Sequence, residues 1–170
     1  RLAETAGRLL VTTRDRLVAE RAGIGMVRLT GDRVAHEFLV AALHRYRPGD
    51  AVLSEEGVDD LDRLAADRVW IVDPLDGTND YSRPHSAEWA VHVALTVGGR
   101  PVAGAVSLPV LGEVYATEPA PIRPRVERDQ PLVLVSRSRA NFDGYRLGSA
   151  LDAQIGTIGS AGVKAMLVVR

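Results

Sequence analysis

The chain has 170 residues, close to the size of a single domain, and its 46% hydrophobic and 25% charged residues are enough to build and cover a core. A formal net charge of −1 argues against a basic nucleic-acid or membrane-surface footprint, and no run of about 18 apolar residues offers a membrane span. The absence of cysteine excludes disulfides, thiol catalysis and thiolate metal sites and is compatible with a reducing cytoplasm, while the mixed Arg, Asp and Glu of residues 1–21 do not read as a signal peptide.

In chain order, Leu2, Ala6, Leu9, Leu10, Thr13 and Leu17 predict a first helix over residues 2–18. Ala22-Gly23-Ile24-Gly25 breaks that pattern, and Met26 to Leu29 is ambiguous. Asp32 takes the N-cap position of a second, amphipathic helix carrying Val34, Ala35, Phe38, Leu39, Ala42, Leu43 and Tyr46, which Pro48-Gly49 ends. Residues 51–53 read as a short strand delivering Ser54-Glu55-Glu56, and residues 60–67 as one or two helical turns with a charged outer face. Residues 68–72 form a strand that Pro74 stops. Val91, Val93 and Leu95 alternate as a strand, Gly98-Gly99 turns it, and residues 101–107 and 112–117 return as two more strands.

Residues 118–129 hold three prolines and no periodicity, so they read as a loop dividing an N-terminal α+β part, 1–130, from the start of a C-terminal α/β part, 131–170. In that second part a strand over 132–135, a helix over 142–151 and a strand over 155–158 precede Gly159-Ser160-Ala161-Gly162, which opens an apolar helix. The sequence stops inside that helix and therefore reads as incomplete at its C-terminus.

The chemistry concentrates in Asp73-Pro74-Leu75-Asp76-Gly77-Thr78, placed where a buried strand ends. Pro74 stiffens the backbone between two acids so that both carboxylates converge, and Glu55 at the end of another strand reaches the same point. Three carboxylates without nearby imidazoles form a hard-oxygen site suited to Mg²⁺ or Mn²⁺, and a cation there removes the repulsion among them. Gly77 and Thr78 expose backbone N–H groups to an anion. Thr78 Oγ and Glu55 are placed to orient and deprotonate a water, which describes phosphoryl chemistry. The plainer readings are that Asp-Pro and Asp-Gly form ordinary turns and that Asp32 only caps a helix. None of the four histidines has metal-ligand spacing: His36 reads as a helix-surface residue, and His92 faces away from Val91 and Val93 on its strand.

Taken together, Gly31-Asp32, Ser54-Glu55-Glu56 and the run from Trp70 to Asp80 resemble the inositol monophosphatase superfamily of Mg²⁺-dependent, lithium-sensitive phosphatases. Val52 to Glu56, Val135-Ser136-Arg137-Ser138 and Ile158-Gly159-Ser160 followed by Lys164 look like its CysQ-type 3′(2′),5′-bisphosphate nucleotidase branch. The resemblance implies an α+β fold of layered αβαβα type, with an antiparallel strand meander, flanking helices and a truncated second α/β part. It also implies hydrolysis of the 3′-phosphate of adenosine 3′,5′-bisphosphate to AMP and phosphate. Carried over by position, Glu55, Asp73, Asp76 and the Leu75 carbonyl are expected metal ligands. Asp32 and Thr78 polarise the attacking water with help from Glu55. Gly77 and Thr78 hold the phosphate, and Gly159, Ser160 and Lys164 lie near the sugar or nucleotide.

Two departures accompany the resemblance. The family's Trp-Asp motif is expected beyond Arg170, and its lysine-bearing segment before Gly31-Asp32 is poorly matched by Met26-Val27-Arg28-Leu29-Thr30. The expectation is a cytoplasmic, Mg²⁺-dependent phosphatase acting on a small phosphate ester, with a homodimer allowed by the family. The rivals are an inositol monophosphatase or fructose-1,6-bisphosphatase, a non-catalytic cation- or phosphate-binding module, and a paired-carboxylate glycosidase that would need no metal.

Overall fold

A computed structural model of the chain describes residues 1–122, 129–139 and 142–170. Two long helices, α1 (Leu2–Ala19) and α2 (Ile24–Tyr46), lie against each other and against one face of a sheet. On α1 the buried stripe is Ala3, Ala6, Leu10, Leu17, and on α2 it is Val27, Ala35, Leu39, Leu43, each at helical spacing. Small residues on this stripe let the two helices and the sheet approach closely.

The sheet has five strands in spatial order β1 (Ala51–Ser54), β2 (Arg68–Asp76), β3 (Ala90–Val97), β4 (Arg100–Leu108) and β5 (Glu113–Ala116). Only β1 and β2 run parallel; every later neighbour is antiparallel. On β3, Val91, Val93 and Leu95 are buried with the α1–α2 layer beneath them, so the intervening His92 and Ala94 face the other side. A second, two-stranded parallel sheet pairs β6 (Leu132–Ser136) with β7 (Gln154–Ile158). Between the two sheets lies α5 (Ala161–Val169), whose Val163 joins Ala90 and Leu108 of the first sheet while Met166 and Ile158 close around them. Helix α4 (Phe142–Ala150) covers the outer face of the second sheet, where Gly148 lets Ile155 come close. The layer order is thus helix, sheet, helix, sheet, helix, a mixed α+β architecture. None of the described helices is long and apolar enough to cross a membrane.

The segment 82–89 that joins the first sheet's two central strands is held from within. Trp89 meets Tyr81 edge-on at 5.0 Å, and the Arg14 guanidinium lies over both rings. Arg14 Nη1 donates to Ser86 O, and Tyr81 OH donates to Leu10 O. Burial lowers the pKa of Arg14 and raises that of Tyr81.

Two local expectations are corrected. Asp32 is not at an N-cap: α2 is continuous from Ile24, its N-cap is Gly23, and Asp32 lies in its interior. Gly31 costs the helix about 1 kcal/mol of intrinsic propensity, yet a Cβ there would come within 2.5 Å of Tyr81 Cε1, so only glycine lets the Tyr81 ring pack on α2. Nor does Pro74 stop β2, which continues to Asp76; the register with β3 shifts between Asp73 and Asp76, where the proline has no N–H to offer. The one or two helical turns expected over residues 60–67 are present as a 3₁₀ helix, Leu61–Ala65, capped by Asp60. Of the predicted 118–129 loop, residues 123–128 lie outside the described residues.

Gly31→Ala offers a direct check on that packing. In an unhindered helix the change adds stability, whereas here overpacking against Tyr81 is expected to cost about 1–3 kcal/mol. The measurement is a chemical-denaturation midpoint that falls rather than rises.

Candidate active site

The irregular end of β2 is what aims the acids. Asp73 Oδ1 accepts the Leu75 N–H at 3.1 Å, which folds the strand back on itself between the two aspartates. Gly77 follows with φ of 92°, and a Cβ there would lie 2.7 Å from Glu88 O, so the chain turns in a conformation and a space that only glycine fits. The turn opens a single helical turn, α3 (Thr78–Tyr81), whose first amides have no intrahelical acceptor.

Asp76 is the most heavily bonded acid in the site. Its Oδ2 accepts from Ser160 Oγ at 2.6 Å and Gly162 N at 2.5 Å, and its Oδ1 from Ala161 N at 3.3 Å. The carboxylate therefore sits on the N-terminus of α5, where the helix dipole favours it. His92 Nε2 approaches the same Oδ2 at 3.3 Å. Burial acts to raise the Asp76 pKa, but the hydrogen bonds from His92, Ser160 and Gly162 outweigh it and pull the value down to about 2.

Asp73 stands in the opposite situation. Burial raises its pKa first, the Glu55 carboxylate beside it raises it further, and the value reaches about 7. Ligand atoms of Asp73, Asp76 and His92 all lie within 4.8 Å of one another, a spacing that a single small cation can bridge. Glu55 belongs to the exposed turn after β1, whose N–H donates to Val72 O, and it brings a further oxygen donor. Two carboxylates and one imidazole within this spacing, with the Glu55 carboxylate beside Asp73, make an oxygen-rich donor set that fits a hard divalent cation such as Mg²⁺ or Mn²⁺.

On the other side of Asp73, Thr78 Oγ1 lies 3.2 Å from Asp32 Oδ1 and 3.1 Å from Leu75 O. Burial, together with Glu56 and Glu55, raises the Asp32 pKa to about 6 against the opposing hydrogen bond from Thr78. His36, one turn after Asp32, has Nδ1 2.8 Å from Ser54 Oγ and so steadies the turn that carries Glu55.

Beyond these acids a cleft of about 830 Å³ opens, lined by Asp76, Gly77, Thr78 and Gly159 and by Arg28, Arg83, Arg137, Arg139 and Lys164. The structure thus brings Asp32, Glu55, Asp73, Leu75, Asp76, Gly77 and Thr78 together, with Gly159 and Lys164 on the facing wall. Ser160 is placed differently from the expected substrate contact. It is fully buried, and its hydroxyl donates to Asp76 and accepts Val163 N–H as the cap of α5. His92 is the residue that sequence spacing missed. Its outward parity on β3 was visible, but β3 is paired with Asp73 only through the antiparallel register of β2 and β3.

A family model described as the inositol monophosphatase family matches residues 27–120. The chain belongs to that family. It is 45% identical over 147 residues to a 3′-phosphoadenosine 5′-phosphate phosphatase of Mycobacterium tuberculosis, covering 82% of this chain and 55% of that protein. A protein of the same description from Mycobacterium leprae is 41% identical over 183 residues, covering 99% and 66%. The 3′(2′),5′-bisphosphate nucleotidase CysQ of Escherichia coli K12 is 35% identical over 123 residues, covering 66% and 50%. The chain therefore spans only about half to two thirds of the length of these relatives. Among solved structures, CysQ from Bacteroides thetaiotaomicron superposes with a TM-score of 0.75 at 26% identity, over 99% of this chain and 73% of that one. Inositol monophosphatase II of Staphylococcus aureus reaches 0.77 at 18% identity over 97% and 67%, a likeness of fold.

The two aspartates predict opposite pH responses of the metal-free protein. Asp73, raised to about 7, contributes stability that is fully present below its unfolded value near 4 and is lost as pH rises through 7. Asp76, lowered to about 2, contributes stability present above 4 and lost as pH falls through 2. Asp73→Asn is expected to remove the loss between about pH 4 and 7, raising Tm at pH 7 by several degrees, and to leave Tm unchanged by added Mg²⁺. Calorimetric melts across that pH range, with Mg²⁺ and with chelator, read both effects.

Proposed function

We propose that this site hydrolyses a phosphate monoester on a nucleotide that carries a second phosphate, with the 3′-phosphate of adenosine 3′,5′-bisphosphate as the substrate and AMP and phosphate as products. The observation that carries the reading is the adjacency of two opposite surfaces. A floor of carboxylates, Asp32, Glu55, Asp73 and Asp76, meets a wall of five cations, of which Arg83 and Arg137 pair with Asp80 and Glu88 while Arg28, Arg139 and Lys164 have no acidic partner among the described residues. A single-phosphate ester does not call for so many cations beyond the reacting centre, whereas a bisphosphate does. The descriptions of the mycobacterial and Escherichia coli relatives support the same substrate class.

In this reading Glu55, Asp73, Asp76 and the Leu75 carbonyl hold the divalent cation, Mg²⁺ or Mn²⁺. When bound, such a cation supplies neutralisation of phosphate charge and lowers the pKa of water. The chain's own part begins with Thr78. Its one hydroxyl proton goes to Asp32 when that acid is ionised, which leaves the Oγ1 lone pairs to accept a hydrogen bond from the attacking water. Asp32, with its pKa near 6, is ionised at neutral pH and basic enough to receive the water's proton through Thr78, with Glu55 assisting. Gly77 and Thr78 amides hold phosphate oxygens, and Gly159 and Lys164 border the sugar. His92 and Ser160 act on Asp76, keeping its carboxylate ionised and aimed. The division at residue 130 goes with this reading, the first part supplying the acids and the second the facing wall, and the setting is a cytoplasmic one.

Phosphate release from adenosine 3′,5′-bisphosphate and from inositol 1-phosphate, each with Mg²⁺ and with chelator, tests the proposal. The bisphosphate is expected to be preferred and chelator to abolish turnover. Equal rates in chelator would reject the metal-dependent reading, and a preference for inositol 1-phosphate would reject the substrate. Thr78→Ala is expected to lower kcat by about 10²-fold or more with KM little changed.

A further inference from the structure

The five cations of the cleft are not equivalent. Arg83 Nη1 and Arg137 Nη1 both donate to Asp80 Oδ1, at 3.1 and 2.8 Å. Arg137 Nη2 donates to Glu88 Oε1 at 2.5 Å and to Thr157 O at 3.3 Å, and Glu88 Oε2 accepts Gly159 N–H. Arg137 is therefore a strut between the two sheets, its charge matched by two acids. Lys164 Nζ donates to Ile158 O and Ser160 O, which ties β7 to α5. Among the described residues Arg28, Arg139 and Lys164 line the cleft without an acidic partner; Lys164 is spent on two carbonyls, and Arg139 is an exposed residue just past β6.

Arg28 is different in being both held and available. It is half-buried on α2, and its Nε donates to Ser82 Oγ at 3.0 Å, while Ser82 Oγ donates to Asn79 O at 2.8 Å. Ser82 is itself buried. The guanidinium is thus fixed along its Nε edge, and among the described residues no acceptor meets Nη1 or Nη2. Its position along the cleft is set by two helices at once. Arg28 lies one turn, about 6 Å, before Asp32 on α2, and Ser82 lies one turn beyond Thr78 on α3. The Nη donors are therefore held on the Ser82 side of the cleft, beside the C-terminal end of α3, whereas Thr78 and Asp32 pair at its start.

We propose that Arg28 binds the phosphate group that is not hydrolysed, and so sets the preference for a bisphosphate over a single-phosphate ester. The proposal rests on the phosphatase reading of the site given above. Two parallel N–H donors on a pre-oriented guanidinium match two oxygens of a phosphate dianion, and the match is one that lysine cannot reproduce. The ambiguous segment 26–30, which lacks the lysine of the family pattern, thereby acquires a role through the continuous helix that carries it.

The test is equilibrium binding by calorimetry in Mg²⁺, on a Thr78→Ala background so that the ligands stay intact. Adenosine 3′,5′-bisphosphate and adenosine 3′-phosphate are compared. With Arg28 present the bisphosphate is expected to bind about 30-fold more tightly, the range of a charge-assisted hydrogen-bonded pair. Arg28→Gln should shrink that ratio to about threefold while leaving adenosine 3′-phosphate within about twofold, and Arg28→Lys should restore only part of it. Ser82→Ala, which keeps the charge and removes its anchor, should give an intermediate ratio. Equal weakening of both ligands by Arg28→Gln, or a ratio that survives it, overturns the assignment of Arg28 and leaves the bisphosphate reading intact. No preference for the bisphosphate in the parent overturns the bisphosphate reading itself, and the role of Arg28 with it.

Discussion

A carboxylate seated on the first turn of a helix joins the two halves of this molecule. Asp76 ends β2, an inner strand of the large sheet, and receives Ser160 Oγ and Gly162 N–H from the start of α5, the helix sandwiched between the sheets. Removing a carboxylate from water is unfavourable, yet here the donors are sufficient to keep it ionised far below neutral pH. The same contact fixes where α5 begins, hence where β7 delivers Gly159, and hence where the second wall of the cleft stands. Arg137 completes the junction from the other direction, reaching from the end of β6 to the buried Asp80 and to Glu88.

Once Asp76 is committed to the helix, Asp73 is left with fewer donors, the Leu75 N–H among them. Two carboxylates three residues apart on one strand thus differ by about five pH units in their affinity for a proton, one near 2 and the other near 7. Burial operates on both. Asp76 is surrounded by N–H and O–H groups, whereas Asp73 has the Leu75 N–H and is faced by Glu55, so its ionised form is the costlier of the two. An anionic floor bordered by a wall rich in arginine is the charge pattern on which the proposed placement of a cation and a phosphate rests.

Much of this was legible in one dimension. Helix α1, the β3–β4 hairpin at Gly98-Gly99 and the capped start of α5 follow from local periodicity and turn chemistry, and their boundaries came within a residue or two. The convergence of Asp73 and Asp76 followed from a proline between two acids at a strand end. What could not be read was anything that depends on a distant neighbour. Gly31 looked like a helix boundary because its compensating partner, Tyr81, lies fifty residues away. Ser160 looked like a substrate contact because the acid that engages it lies on another sheet. His92 showed the correct outward parity, but nothing nearby in sequence said that the outward face of β3 is the inside of the site.

The sequence by itself therefore determined the kinds of element, the family and the set of acids, because these rest on residue type, spacing and short-range backbone preference. Only the tertiary structure decided which acid is kept ionised by its donors and which is pushed toward its protonated form, and which arginines are struts between acids and which lack an acidic partner among the described residues. The physical reason is that a carboxylate's proton affinity and a guanidinium's availability are properties of the groups packed against them. Those groups come from segments as much as eighty-six residues apart, as in the pair Asp76 and Gly162.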